Sequence, residues 1–283
     1  MPTEPTPIEV LRTSADAGKL TNAAQELAIS KDAASLEAVR GALESPKFLD
    51  SIDPPAKPPA SRLAMNVWKV LRSLTDNKAP DARGVIEALT QAPLYQKHIA
   101  RVDLLLEATQ ELRPPGEKVV GYWKTYAGPN DLHAPVLQRI LLANGSPEAL
   151  TLFRTMMSNE GFPPERRVNW IHAGLPRYRN DEKYLAMATA LVDDKLVSPV
   201  VRRAAVEAVF DWDEEWAPIH GPNVYKPPLR TLMNKAAREQ VKAVAKSARA
   251  WLSLPAPLDA KITAVLAEVD AIDEREKPAH GGS

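Results

Sequence analysis

Three groups of side chains have the types and spacing to do chemistry. The first is Asp211-Trp212-Asp213-Glu214-Glu215-Trp216, four acids and two tryptophans in six residues, followed by a stretch from Ala217 to Pro228 that holds four prolines. Tryptophan supplies large, rigid contact area, and an irregular connection on a rigid scaffold is a common place for recognition. The same residues could equally close off the end of a core. Helical spacing separates the two tryptophans, because Trp212 continues the stripe Val201, Ala205, Ala208 and is expected in the core. Trp216 falls beyond that helix, among acids and before Pro218, and is expected to be an exposed anchor for a partner.

The second group is Lys235, Arg238, Lys242, Lys246 and Arg249, whose steps of 3, 4, 4 and 3 place five cations on one helical stripe. From Lys226 to Arg249 there are seven basic residues against the single acid Glu239, so the local field is positive and an anionic partner is expected, such as a protein with an acidic surface. The competing reading is a solvated face, its field offset by the acids of 211–215 and by Asp270, Asp273, Glu274 and Glu276. Residues 201–283 hold 12 basic and 12 acidic side chains.

The third group is the histidines, His98, His133, His172, His220 and His280, which are scattered and form no His-x-x-x-His pair that would aim two imidazoles at one metal from a helix. Asp193-Asp194 has the look of an acid–base pair, but neighbours in sequence diverge on a helix, so a solvated helix end is expected. There is no glycine-rich phosphate loop and no Gly-x-Ser-x-Gly elbow. No cofactor, metal or catalytic residue is therefore expected.

Composition narrows the choice further. With no cysteine among 283 residues there is no disulfide framework, thiolate zinc site or cysteine nucleophile. Thirty-six basic residues balance 36 acidic ones, whereas proteins that live on nucleic acid usually carry a basic excess. The longest apolar stretch, Tyr184 to Val192, is far short of the roughly 18 residues of a membrane span. The first residues lack the basic and apolar regions of a signal peptide, which makes a cytoplasmic location the expectation.

The elements that must position these groups read as helices. Twenty-six prolines and only 12 glycines suit short helices that start and stop abruptly. Thr6-Pro7-Ile8-Glu9 has the form of a capping box, and Ser146-Pro147 and Ser198-Pro199 repeat the Ser-Pro start. Apolar stripes recur at Leu63, Val67, Val70, Leu74, at Ile99, Val102, Leu105, Thr109, Leu112, and at Leu258, Ile262, Val265, Val269, Ile272. Val119 to Tyr126 is rich in strand-forming residues, but Pro114-Pro115 before it, Gly128-Pro129 after it and the spacing of Val119, Trp123 and Tyr126 predict a helix.

Asp32 to Leu43 aligns without gaps to Lys78 to Leu89, 46 residues on, and Gly145 to Met156 fits the same template after a further 67. An amphipathic helix precedes each copy, so the unit is a helical hairpin that must stack on its neighbours to bury its apolar face. The fold expected is all-α, an α-solenoid of irregular stacked hairpins over 7–272, interrupted by a loop at 211–228 and closed by a helix pair at 228–272. Residues 1–6 and 273–283 are expected to be disordered. Ser198-Pro199-Val200-Val201-Arg202-Arg203-Ala204-Ala205-Val206-Glu207-Ala208-Val209 resembles the signature helix of HEAT-like repeats. That resemblance implies a curved scaffold that binds other molecules along its concave surface, and a helical array with no concentrated reactive side chains makes a non-enzymatic scaffold or adaptor for a protein partner the expectation. A second reading is similar to the HEAT-like alkylpurine DNA glycosylases, whose activity is associated with tryptophans and a carboxylate on the concave face. Trp212, Asp213, Glu214 and Trp216 supply those types, and Lys235, Arg238 and Lys242 could reach phosphates, but a neutral chain has little charge to spread along a duplex.

Overall fold

The computed structural model describes residues 4–14, 16–30, 32–45, 69–75, 80–211 and 233–276. They are helical, with no strand among them. In chain order the α-helices are α1 (Pro7–Thr13), α2 (Ala17–Ala28), α3 (Ala33–Leu43), α4 (Pro80–Leu89), α5 (Ile99–Thr109), α6 (Glu117–Thr125), α7 (Ala134–Asn144), α8 (Pro147–Ser158), α9 (Pro164–Gly174), α10 (Glu182–Asp193), α11 (Pro199–Phe210), α12 (Lys235–Trp251) and α13 (Ala256–Glu276). Residues 69–75 are helical as well. Two short 3₁₀ turns, Pro93–Tyr95 and Leu175–Tyr178, join α4 to α5 and α9 to α10.

Local chemistry accounts for the boundaries. Thr6 and Glu9 form the expected reciprocal box, the Thr6 hydroxyl accepting from the Glu9 amide at 3.3 Å while the Thr6 amide donates to Glu9 Oε2 at 2.7 Å. Asp16, Asp32, Asp181 and Asn234 cap α2, α3, α10 and α12 by accepting first-turn amides that have no partner within the helix. Ser198 precedes Pro199 as expected, yet its hydroxyl caps nothing. Gly145 ends α7 with φ 65°, a left-handed turn that a side chain would oppose, and α8 opens two residues later. The stretch from Val119 to Tyr126 is the helix α6 and its cap.

The chain divides into two compact units, Met1–Glu148 and Ala149–Ser283. In the first, α1, α2 and α3 pack on one another, α3 meets α4, and from there each helix also meets the next but one, α4 with α6 and α5 with α7. Polar tips anchor its buried aromatics. Tyr95 donates to the Leu43 carbonyl at 2.9 Å, Tyr122 to the Tyr95 carbonyl at 3.0 Å, and the Trp123 indole to the Thr109 hydroxyl at 2.8 Å. The ends of α5 and α7 are in step. Asn144 at the end of α7 donates to the carbonyls of Gln110 and Leu112 at the end of α5, while His133 before α7 pairs with Asp103 in the first turns of α5.

The second unit shows the same alternate packing, α9 on α11, α10 on α12 and α11 on α13. Its first two hairpins correspond residue by residue. α8 and α10 begin at Pro147 and Glu182 and end at Ser158 and Asp193, and α9 and α11 open on Pro164 and Pro199, a constant offset of 35 residues. Arg167 and Arg202, the fourth residues of α9 and α11, are buried, and each donates to a carbonyl ten residues back, Met157 at 2.9 Å and Val192 at 2.7 Å. A guanidinium there satisfies a carbonyl at the end of the preceding helix, where the helix dipole also favours positive charge. His172 and Glu207, again 35 apart, meet at 3.1 Å, so equivalent positions of the two hairpins lie side by side.

Two boundaries differ from expectation. The closing helix pair begins, within the described residues, at Lys235, and its second helix runs to Glu276 rather than ending at 272. The extra turn is held because Asp273 and Glu276 bind cations of α12, contacts that lie outside any local helix signal.

Candidate interaction surface

The five cations expected on one stripe do lie on α12, a helix of 17 residues whose opposite face buries Ala237, Val241, Val244, Ala245 and Ala248. Their environments diverge. Arg238 is 2% exposed: its Nε donates to Asp273 Oδ1 at 2.6 Å, one terminal nitrogen donates to the Met233 carbonyl at 2.8 Å and to Glu276 Oε1 at 3.3 Å, and the other reaches Glu276 Oε2. Lys242 lies between Asp273 at 2.6 Å and Asp270 at 2.9 Å. Arg249 donates to Asp259 and to the Thr263 hydroxyl, both at 2.7 Å. Three of the five therefore bind α12 to α13, Arg238 from a buried position, Lys242 half-buried and Arg249 while still exposed. Arg238, buried and fully engaged, is withdrawn from the expected partner-binding set.

Electrostatics within this clasp are mutual. Hydrogen bonds from Lys242 and then Arg238 hold the Asp273 carboxyl below the usual aspartate range. The Lys242 ammonium is held above its ordinary value, first by Asp273 and then by Asp270. Lys235 and Lys246 remain exposed, with no ion pair to another described residue. Trp216, together with Trp212, Asp213 and Glu214, lies outside the described residues.

Other polar groups were missed by sequence reading. Two histidines pair with carboxylates of the next helix but one, His133 Nδ1 with Asp103 Oδ1 at 2.7 Å and His172 with Glu207. Tyr126 packs edge-on against both His133 and Tyr122, with ring centres 5.0 Å apart in each case, so His133 sits at the end of an aromatic row. The buried arginines had a readable signal in Pro164-Glu165-Arg166-Arg167 and Pro199-Val200-Val201-Arg202, a proline followed three residues on by arginine. The histidine pairs had none, because their members are 30 and 35 residues apart.

An open cleft of about 510 Å³ lies at the starts of α10 and α12, lined by Arg177, Tyr178, Asp181, Glu182, Lys183 and Asn234 among others. Its charges are mixed, and Asp181 is engaged in capping α10, so the cleft has neither a single-sign field nor a nucleophile with a base beside it. Among the described residues no three histidine or carboxylate groups converge on a metal position, and no helix is long and apolar enough to cross a membrane. Asp193 ends α10 exposed, whereas Asp194 turns back to Ser158 at 3.3 Å.

No protein-family model matches the chain, and no curated protein or solved structure is significantly similar to it. The HEAT-like resemblance thus rests on the residues of this chain alone.

Proposed function

We propose that this protein is a non-enzymatic scaffold or adaptor, an α-solenoid of stacked helical hairpins that binds a protein partner with an acidic surface. The observation that carries this reading is the 35-residue correspondence of the α8–α9 and α10–α11 hairpins, with matching arginine bonds and with His172 set against Glu207. Hairpins that stack by equivalent positions are the building principle of repeat scaffolds, which offer extended surfaces instead of a concentrated reactive centre. On α12 the exposed cations without a carboxylate partner among the described residues are Lys235 and Lys246.

The test is affinity capture from the native organism's lysate at low and moderate salt, identifying bound protein and nucleic acid together. A protein partner should be retained and should weaken as salt rises. Exchanging Lys235 and Lys246 together for glutamate should reduce its capture by tenfold or more while leaving the melting temperature unchanged, because exposed charges contribute little to stability. Capture of nucleic acid in place of protein, or undiminished capture by the folded double variant, would overturn this assignment.

A further inference from the structure

In the second unit α10 and α12 open side by side, and Asn234, the residue before α12, donates to Glu182 Oε2 in the first turn of α10 at 3.4 Å. The open cleft at these two helix starts, about 510 Å³, is within the roughly 300–1,000 Å³ typical of ligand sites. Its charged groups differ in what already engages them. The two acids serve helix starts. Asp181 caps α10 by accepting from the Lys183 amide at 3.0 Å, and Glu182, the first residue of α10, accepts from Asn234. Acids are favoured at that position, because first-turn amides and the helix dipole both attract negative charge.

The lysines are placed differently. Lys183 lines the cleft, is exposed and has no ion pair to another described residue. Lys235, also exposed and without such a pair, follows the cleft residue Asn234 directly. Arg177 lines the same cleft from the 3₁₀ turn before α10.

An aromatic wall completes the cleft. Tyr178 lines it, stacked on the buried Tyr184 with ring centres 4.1 Å apart and planes 8° from parallel. The stack holds the Tyr178 ring in place, so contact made on it costs little side-chain entropy. Cations beside a fixed aromatic ring suit a ligand that carries both carboxylates and an apolar side chain, which is the chemistry of an acidic peptide. A nucleic-acid backbone suits the cleft less well, because Asp181 and Glu182 stand among the cations and would oppose a continuous row of phosphates.

We infer that this cleft receives an acidic segment of the protein partner, with carboxylates against Lys183 and Lys235 and an aromatic side chain on Tyr178. The inference rests on the scaffold reading above and names the place on it where the partner is held.

The probe is a fluorescently labelled synthetic peptide, acetyl-Glu-Glu-Phe-Glu-Glu-amide, and the readout is its anisotropy on titration with the full chain. It should bind with a Kd below about 1 mM and weaken as salt rises. Lys183→Glu should raise that Kd about tenfold or more. Lys246→Glu should change it less than about twofold, because Lys246 stands eleven residues along α12 from Lys235, about 16 Å away. Both lysines are exposed, so these exchanges should spare the fold, which circular dichroism checks. Replacing the phenylalanine of the probe by alanine should weaken binding about fivefold, through loss of the contact on Tyr178. An unbound probe, or equal losses from Lys183→Glu and Lys246→Glu, would overturn the assignment, the second outcome marking attraction to charge alone. Displacement of the probe by about 1 mM adenosine triphosphate would overturn it in favour of a phosphorylated small molecule. A partner from lysate that Lys183→Glu retains and the Lys235 and Lys246 double variant loses would overturn the cleft while leaving the scaffold reading intact.

Discussion

Trp123→Ala should cost about 3–5 kcal/mol, the largest loss expected from any single substitution in the first unit. Trp123 is fully buried, and its indole donates to the buried Thr109 hydroxyl, tying α6 to the end of α5. Truncation would leave a large apolar cavity and would also remove the hydrogen bond. Trp123→Phe fills most of that space without a donor, so about 1–2 kcal/mol is expected. Urea unfolding followed by far-ultraviolet circular dichroism measures both, through a lower midpoint with an unchanged slope. Equal, small losses for the two variants would mean that this site relaxes and that Trp123 does not organise the unit.

Asp273→Ala should loosen the second unit by about 2–3 kcal/mol, somewhat less than the loss for breaking a fully buried ion pair. The loss is moderated because Glu276 still reaches Arg238 and Asp270 still reaches Lys242. It stays substantial because Arg238 is buried and would lose one of its two carboxylate partners. Glu276→Ala should cost far less, since Glu276 is mostly exposed and its pair with Arg238 is replaceable by water on that side. The same clasp sets an acid response. Asp273 titrates lower when folded than when unfolded, so its contribution is complete above the ordinary aspartate range. It is then lost as pH falls through and below about 4, when the folded carboxyl takes up its proton. Stability of the wild type should therefore fall more steeply between about pH 5 and pH 2 than that of Asp273→Ala, in melting curves recorded at matched ionic strength. Parallel curves would remove Asp273 from the acid response.

These two sites differ in how far the sequence anticipates them. Trp123 falls on a helical stripe with Val119 and Tyr126, and that phase survives in the structure with all three buried. The α12 cations also fall on a stripe, but the spacing of charges along one helix says nothing about which of them meets a carboxylate. Asp273 binds Arg238 and Lys242 from 35 and 31 residues away, and α13 had to extend to Glu276 to complete the clasp. Ile99 and Trp251 show the same limit for apolar residues. Both keep the periodicity of a buried face, yet they are 56% and 48% exposed: each is a terminal residue of its helix, and periodicity fixes the side a residue faces, not whether a neighbour covers it there.

The sequence by itself determined that this protein is helical and where α1, α8 and α11 begin, because first-turn prolines, the residues before them and apolar periodicity act over three or four residues. It also displayed the proline–arginine spacing of α9 and α11, although the carbonyls that those arginines bind became visible only in three dimensions. Only the tertiary structure decided that Arg238 is a buried clasp and that Lys235 and Lys246 stay exposed on α12. It alone set His172 beside Glu207 and Lys195 over Trp251. The reason is one of range: local signals fix the phase of a side chain around its own helix, while its partner is fixed by the packing of helices that lie tens of residues apart in the chain.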